Sequence, residues 1–150
     1  MSAAGLAANV LTVTVDDEGG AYAAVKNLLN MGHTNIAMIS TDGTALSSHD
    51  REKGFKRALS ENGIVIKDEY IFRGTYDYTD GAKAFDYFMK LPEPPTAIFC
   101  ISDLLAAGAI KRALTTGYKV GDDISICGFD NIQLSSLYTP GITTIEQPCF

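Results

Sequence analysis

The chain has 150 residues, a net charge of −6, 46% hydrophobic residues and 20% charged residues. That is enough for one domain with a core, and it excludes a disordered chain. The acidic balance shows no basic patch of the kind that grips nucleic acid directly, and no apolar run is long enough to span a bilayer.

The opening stretch, "MSAAGLAANVLTVTV", has no basic segment ahead of its weak apolar run. It does not read as a signal peptide, so the expected location is cytoplasmic. From there strand-like and helical patterns alternate to the end. The first strand pattern is "VLTVTV" (10–15). A helix follows in which Ala24, Val25, Leu28 and Leu29 share a face, and Gly32 stands where a helix stops. "IAMIS" (36–40) is the next strand, followed by the loop "TDGTALSSHDR" (41–51) and a helix lined by Phe55, Ala58 and Leu59 that ends near Asn62-Gly63. "YIFRG" (70–74) precedes a helix carrying Phe85, Phe88 and Met89, which Pro92 closes. "AIFCIS" (97–102) leads into a helix from Asp103, read as its N-cap, to about Thr115. "ISICG" (124–128) and "ITTIE" (142–146) complete the strands. Continuously apolar strands alternating with helices predict an α/β fold, a doubly wound, mostly parallel sheet with helices on both faces.

Such sheets bind ligands in the crevice beyond the carboxyl ends of their strands. The residues expected there are the 41–51 loop with Arg51, Thr75 and Tyr76, Ser102 and Asp103, and Asp130. A carboxylate, a guanidinium, small hydroxyls and an aromatic ring suit a polyhydroxylated small molecule. Nothing in this set activates a bond. There is no phosphate-cradling glycine loop, no nucleophile elbow and no metal-ligand spacing, so the chain reads as a binding protein without catalytic residues, metal or cofactor. His33 and His49 read as a capping group and a surface residue. Cys100, Cys127 and Cys149 read as reduced, without a disulfide pair. The 103–115 helix is apolar almost all round, so one face is expected to await a partner.

Several long runs resemble the lactose/galactose-repressor (LacI/GalR) family. "NLLNMGHTNIAMIS" (27–40) is similar to its L-x-x-x-G-H-x-x-I-x-x-I pattern, and "SSHDREKGFKRAL" (47–59) to its S-x-x-x-R-x-x-G-F-x-x-A-L segment. "PPTAIFCISDLLAAGAIKRALTTGYKVGDDISICGFDN" (94–131) resembles the family's most recognisable stretch. "YTPGITTIEQP" (138–148) matches its Y-x-P-x-L-T-T-I-x-Q-P ending, with Ile142 in place of the usual Leu.

The resemblance implies a bacterial transcriptional regulator whose effector-binding core has two periplasmic-binding-protein-like lobes. It implies that residues 1–150 are an effector-domain fragment, essentially the C-terminal lobe, without the DNA-binding head or most of the N-terminal lobe. Carried over residue by residue, it assigns effector contacts to Arg51, Asp130, Ser47, Tyr76 and Ser102. It assigns a homodimer interface to Ala107, Ile110 and Tyr138, and places Asp16 and Asp17 at the lobe junction with a structural role. The residues alone give Asp130 a second role, as a cap for "NIQLSSL" (131–137). The implied partners are a small-molecule effector, a second copy, and DNA only through the missing head, with no membrane. A periplasmic sugar-binding protein is the alternative of the same architecture. A doubly wound enzyme using Asp103 and Asp130 on a phosphorylated substrate is the alternative of another class.

Overall fold

The computed structural model describes residues 16–42, 46–75 and 77–129. Element order is α1 (Asp17–Asn30), β1 (Ile36–Thr41), α2 (Leu46–Glu61), β2 (Ile71–Gly74), α3 (Tyr78–Met89), β3 (Ala97–Cys100), α4 (Asp103–Thr115) and β4 (Ser125–Cys127). A single 3-10 turn, Asp68–Tyr70, leads into β2. The strands form one parallel sheet in the order β2-β1-β3-β4. The expected strands at 10–15 and 142–146 lie outside the described residues.

Local chemistry sets the element ends. Asp16 caps α1 by accepting a 2.8 Å bond from the Gly19 N–H. Gly32, at φ 101°, turns the chain out of α1 through the left-handed region that a glycine enters freely. Asp77 caps α3, and Ser102, not Asp103, caps α4. The expectation placed the cap one residue late. A Ser hydroxyl accepts from the Leu105 N–H, while Asp103 occupies the first helical position, where its charge still favours the helix N-terminus.

Right-handed crossovers with this strand order put α2 on one face of the sheet and α3 and α4 on the other. α1 pairs with α2. The core lies between these layers: every residue of β1 from Ile36 to Ile39 and every residue of β3 is essentially inaccessible. Phe55 of α2 stacks on Phe99 of β3, with centroids 6.3 Å apart, and Phe99 meets Phe129 edge-on at 6.4 Å. At the amino edge of the sheet, His33 joins the Thr96 and Ser125 hydroxyls, at 2.8 and 3.2 Å. Desolvation lowers its pKa, favouring the neutral ring that can accept from one hydroxyl and donate to the other. His33 also caps α1, its backbone N–H donating to the Leu28 carbonyl at 3.2 Å, so the ring adds a cross-link between two loops and a strand to the expected capping role.

The cysteine expectation also needs correction. Cys100 is free and buried, and burial pushes its thiol pKa up. Cys127 is disulfide-bonded. An apolar strand run identifies a core position but carries no information on which distant segment meets it. Cys149 lies outside the described residues.

Helices α3 and α4 cross backbone to backbone. A Cβ on Gly108 would collide with the Tyr78 carbonyl, and one on Gly81 with the Leu105 carbonyl. Gly108→Ala therefore forces the helices apart and should lower stability by about 1–3 kcal/mol, the usual cost of overpacking. Thermal or urea unfolding reads this directly; an unchanged midpoint would show that the crossing gives way freely.

Candidate functional site

β1 leads to β2 on one side of the sheet, and β3 leads to β4 on the other. The crevice beyond the carboxyl ends of β1 and β3 is therefore the topological switch point, the usual ligand position in an open parallel sheet. Four helix N-termini and the ends of four strands surround it.

Arg51 sits at this point. Ser47, Arg51 and Phe55 recur every fourth residue and so share one side of α2. Phe55 enters the core, Arg51 lies at its rim, and Ser47 is half-buried in the first turn. Gly54 explains how α2 comes so close to α1, because a Cβ there would strike the Glu18 carbonyl. Arg51 is only 7% exposed. Its Nε donates to Asp17 Oδ1 at 2.9 Å, and its Nη1 donates to the Ile101 carbonyl at 2.6 Å. The guanidinium lies 4.0 Å from the centroid of the Phe129 ring. One side chain thus joins the start of α1, the β3–α4 turn and the end of β4. Ser102, also buried, lies next to Ile101 and caps α4.

A neighbouring cavity of about 240 Å³ is lined by Ser40, Thr41, Asp42, Ser48, Glu52 and Arg73, with His49. Arg73 of β2 grips Glu52 of α2 through both oxygens, the second contact being 2.7 Å. Hydrogen bonding from Arg73, with support from Lys56, holds the Glu52 carboxyl at a pKa of about 2 despite partial burial. Thr41 donates to Ser48 at 3.3 Å, while the Ser40 hydroxyl is buried without a hydrogen-bond partner. The β2–α3 loop is ordered by Asp80, which accepts from the Thr75 backbone N–H and hydroxyl at 2.6 and 2.7 Å. Those bonds lower the Asp80 pKa.

The structure brings Arg51, Ser47 and Ser102 to one edge. Asp130, Tyr76 and Tyr138 lie outside the described residues, although Phe129, next to Asp130, packs under Arg51. Ala107 and Ile110, expected at a contact between copies, have no exposed surface within this chain. Asp17 was read as structural at the lobe junction. Its bond to Arg51 spans 34 positions, and no sequence signal announces it. No group of three or more metal-ligating side chains is found among the described residues.

Two outcomes follow from this geometry. Arg51→Ala leaves Asp17 and the Ile101 carbonyl without their donor in a nearly dry setting. Unfolding should become easier by roughly 3 kcal/mol, and chemical denaturation would expose a smaller loss if water replaces the guanidinium. Glu52, with its folded pKa below the ordinary 4.5, contributes stability that is present above pH 4.5 and lost as pH falls toward about 2. Glu52→Gln should flatten the pH dependence of the unfolding midpoint across that interval, and an identical slope in both proteins would contradict the assignment.

A model for the periplasmic binding protein-like domain matches residues 25–149. The repressor CytR of Escherichia coli K12 is 42% identical over 137 residues, covering 91% of this chain and 40% of CytR. Catabolite control protein A of Priestia megaterium is 40% identical over 93% of this chain and 42% of its own length. A sugar-binding LacI-family regulator from Escherichia coli, solved with phosphate, superposes with a TM-score of 0.82 at 27% identity, covering 88% of this chain and 48% of that one. The chain thus spans under half the length of the relatives it matches. The matched model covers most of the chain, and the doubly wound sheet agrees with it: the chain belongs to the periplasmic binding protein-like domain family, in the form found in LacI-family regulators.

Proposed function

We propose that this chain is the effector-sensing lobe of a bacterial LacI/GalR-type transcriptional regulator. A small hydroxylated molecule is held at the carboxyl edge of the sheet, between this lobe and a second one. Binding favours one lobe arrangement of a homodimer, and that arrangement changes the affinity of separate DNA-binding heads. The observation that carries this is the Arg51 guanidinium, fixed at the switch point with Ser47 and Ser102 on the same edge. The relatives support the class, since they are repressors and regulators, one of them sugar-binding. Asp130 and Tyr76 complete the site in this reading, with Asp130 accepting hydrogen bonds from ligand hydroxyls. The protein acts in the cytoplasm and catalyses no reaction.

A periplasmic-type sugar-binding protein is the second reading. The disulfide at Cys127 favours it, because such bonds persist in oxidising compartments.

The test uses the full-length gene product: a helix-turn-helix segment in it supports the regulator, and a secretion signal supports the periplasmic reading. In the two-lobed protein, Asp130→Ala should weaken effector binding about ten- to a hundredfold, as expected for a lost charge-assisted hydrogen bond. Calorimetric titration measures it. Loss of stability with unchanged affinity would make Asp130 a helix cap and refute its role as a ligand contact.

A further inference from the structure

We infer that this lobe selects an uncharged ligand and rejects one bearing a phosphate, because the cations at its binding edge are already neutralised by the chain's own carboxylates. The inference rests on the effector reading and specifies the ligand class for that site.

Every lysine and arginine of the chain lies at a described position, and residues 1–15 and 130–150 contain none. The cation census is therefore complete. Two guanidiniums reach the carboxyl edge. Arg51 is held by Asp17 at 2.9 Å and by the Ile101 carbonyl, and Arg73 is held bidentately by Glu52. Lys83, on the first turns of α3, is paired with Asp80 at 3.8 Å. A phosphate arriving here meets Arg51, Arg73 and Lys83 each already paired with a carboxylate, while exposed Lys53, two positions from Arg51, lies on the far side of α2. To recruit one it must break a pair and leave a carboxylate exposed to its own charge.

Helix N-termini act in the opposite direction, since four converge on this edge and each favours an anion. Acidic residues satisfy three of them from within. Asp16 caps α1, Asp77 caps α3 with Asp80 in the first turn, and Asp103 opens α4. The first turn of α2 has no acid of its own, yet Asp42 and Glu52 line the cavity it faces. A neutral hydroxylated ligand meets none of this repulsion. Its hydroxyls can donate to the carboxylates without bringing a charge of their own.

Inorganic phosphate is the probe, because it carries the rejected group without requiring the effector to be known. Thermal unfolding of the unaltered chain is followed as phosphate rises through the millimolar range, against chloride at matched ionic strength to remove screening. The unaltered chain should show no saturable phosphate stabilisation. Asp17→Asn and Glu52→Gln each release one guanidinium from its carboxylate, and at least one of them should show saturable phosphate stabilisation in the same range. Saturable stabilisation of the unaltered chain overturns the inference. Failure of both variants to gain phosphate binding also overturns it, by showing that carboxylate pairing is not what excludes the anion. A two-lobed protein that binds no neutral sugar would count against the effector reading and leave the phosphate result to stand separately.

Discussion

A guanidinium that is more than nine-tenths buried must be surrounded by acceptors, and at Arg51 the fold supplies them from separate parts of the chain. Asp17 comes from the start of α1, and the Ile101 carbonyl from the turn where β3 gives way to α4. The ring of Phe129, from the end of β4, lies beneath. These segments meet only if α1 and α2 pack together and the parallel sheet has its observed order. The placement of Gly54 and Phe55 serves the same end, letting α1 approach and anchoring α2 to Phe99. The switch-point edge built this way is a by-product of the tertiary fold, and its guanidinium is held in place by the chain itself.

The electrostatics of the edge follow the same logic. Arg51 and Arg73 are each committed to a carboxylate on a neighbouring element, so they act as rigid hydrogen-bond donors more than as free charges. Glu52 shows the reciprocal effect, its carboxyl held ionised far into acid by the guanidinium it grips. Pairing of this kind suits recognition of hydroxyl geometry, where directional donors and acceptors matter and net charge does not.

Much of the fold was legible in the sequence. The four described helices fall where the periodicity of Leu28, Phe55, Phe85 and Ile110 places them, and Gly32, Gly63 and Pro92 mark three of their ends. The described strands are the apolar runs, because parallel strands buried on both faces need no alternation. The strand ends at the switch point were legible in the sequence, and so was the placement of Arg51 among them. Its partners were not. Asp17 and Asp16 look alike in sequence, but one caps a helix and the other holds an arginine on a different helix. How closely α3 approaches α4 was equally hidden, since Gly81 and Gly108 decide it from opposite sides of the crossing. The disulfide at Cys127 was invisible for the same reason: pairing across distance is a property of the folded chain.

The glycine crossing bears on how such a lobe can move. Where side chains interdigitate, two helices can slide by exchanging rotamers, and shear motions of that type are common. Between α3 and α4 the contacts at Gly81 and Gly108 are peptide against peptide, with no rotamers to exchange. The pair is locked in register and behaves as one slab fixed to the sheet. Motion of this chain against any partner therefore carries α3, α4 and the sheet together.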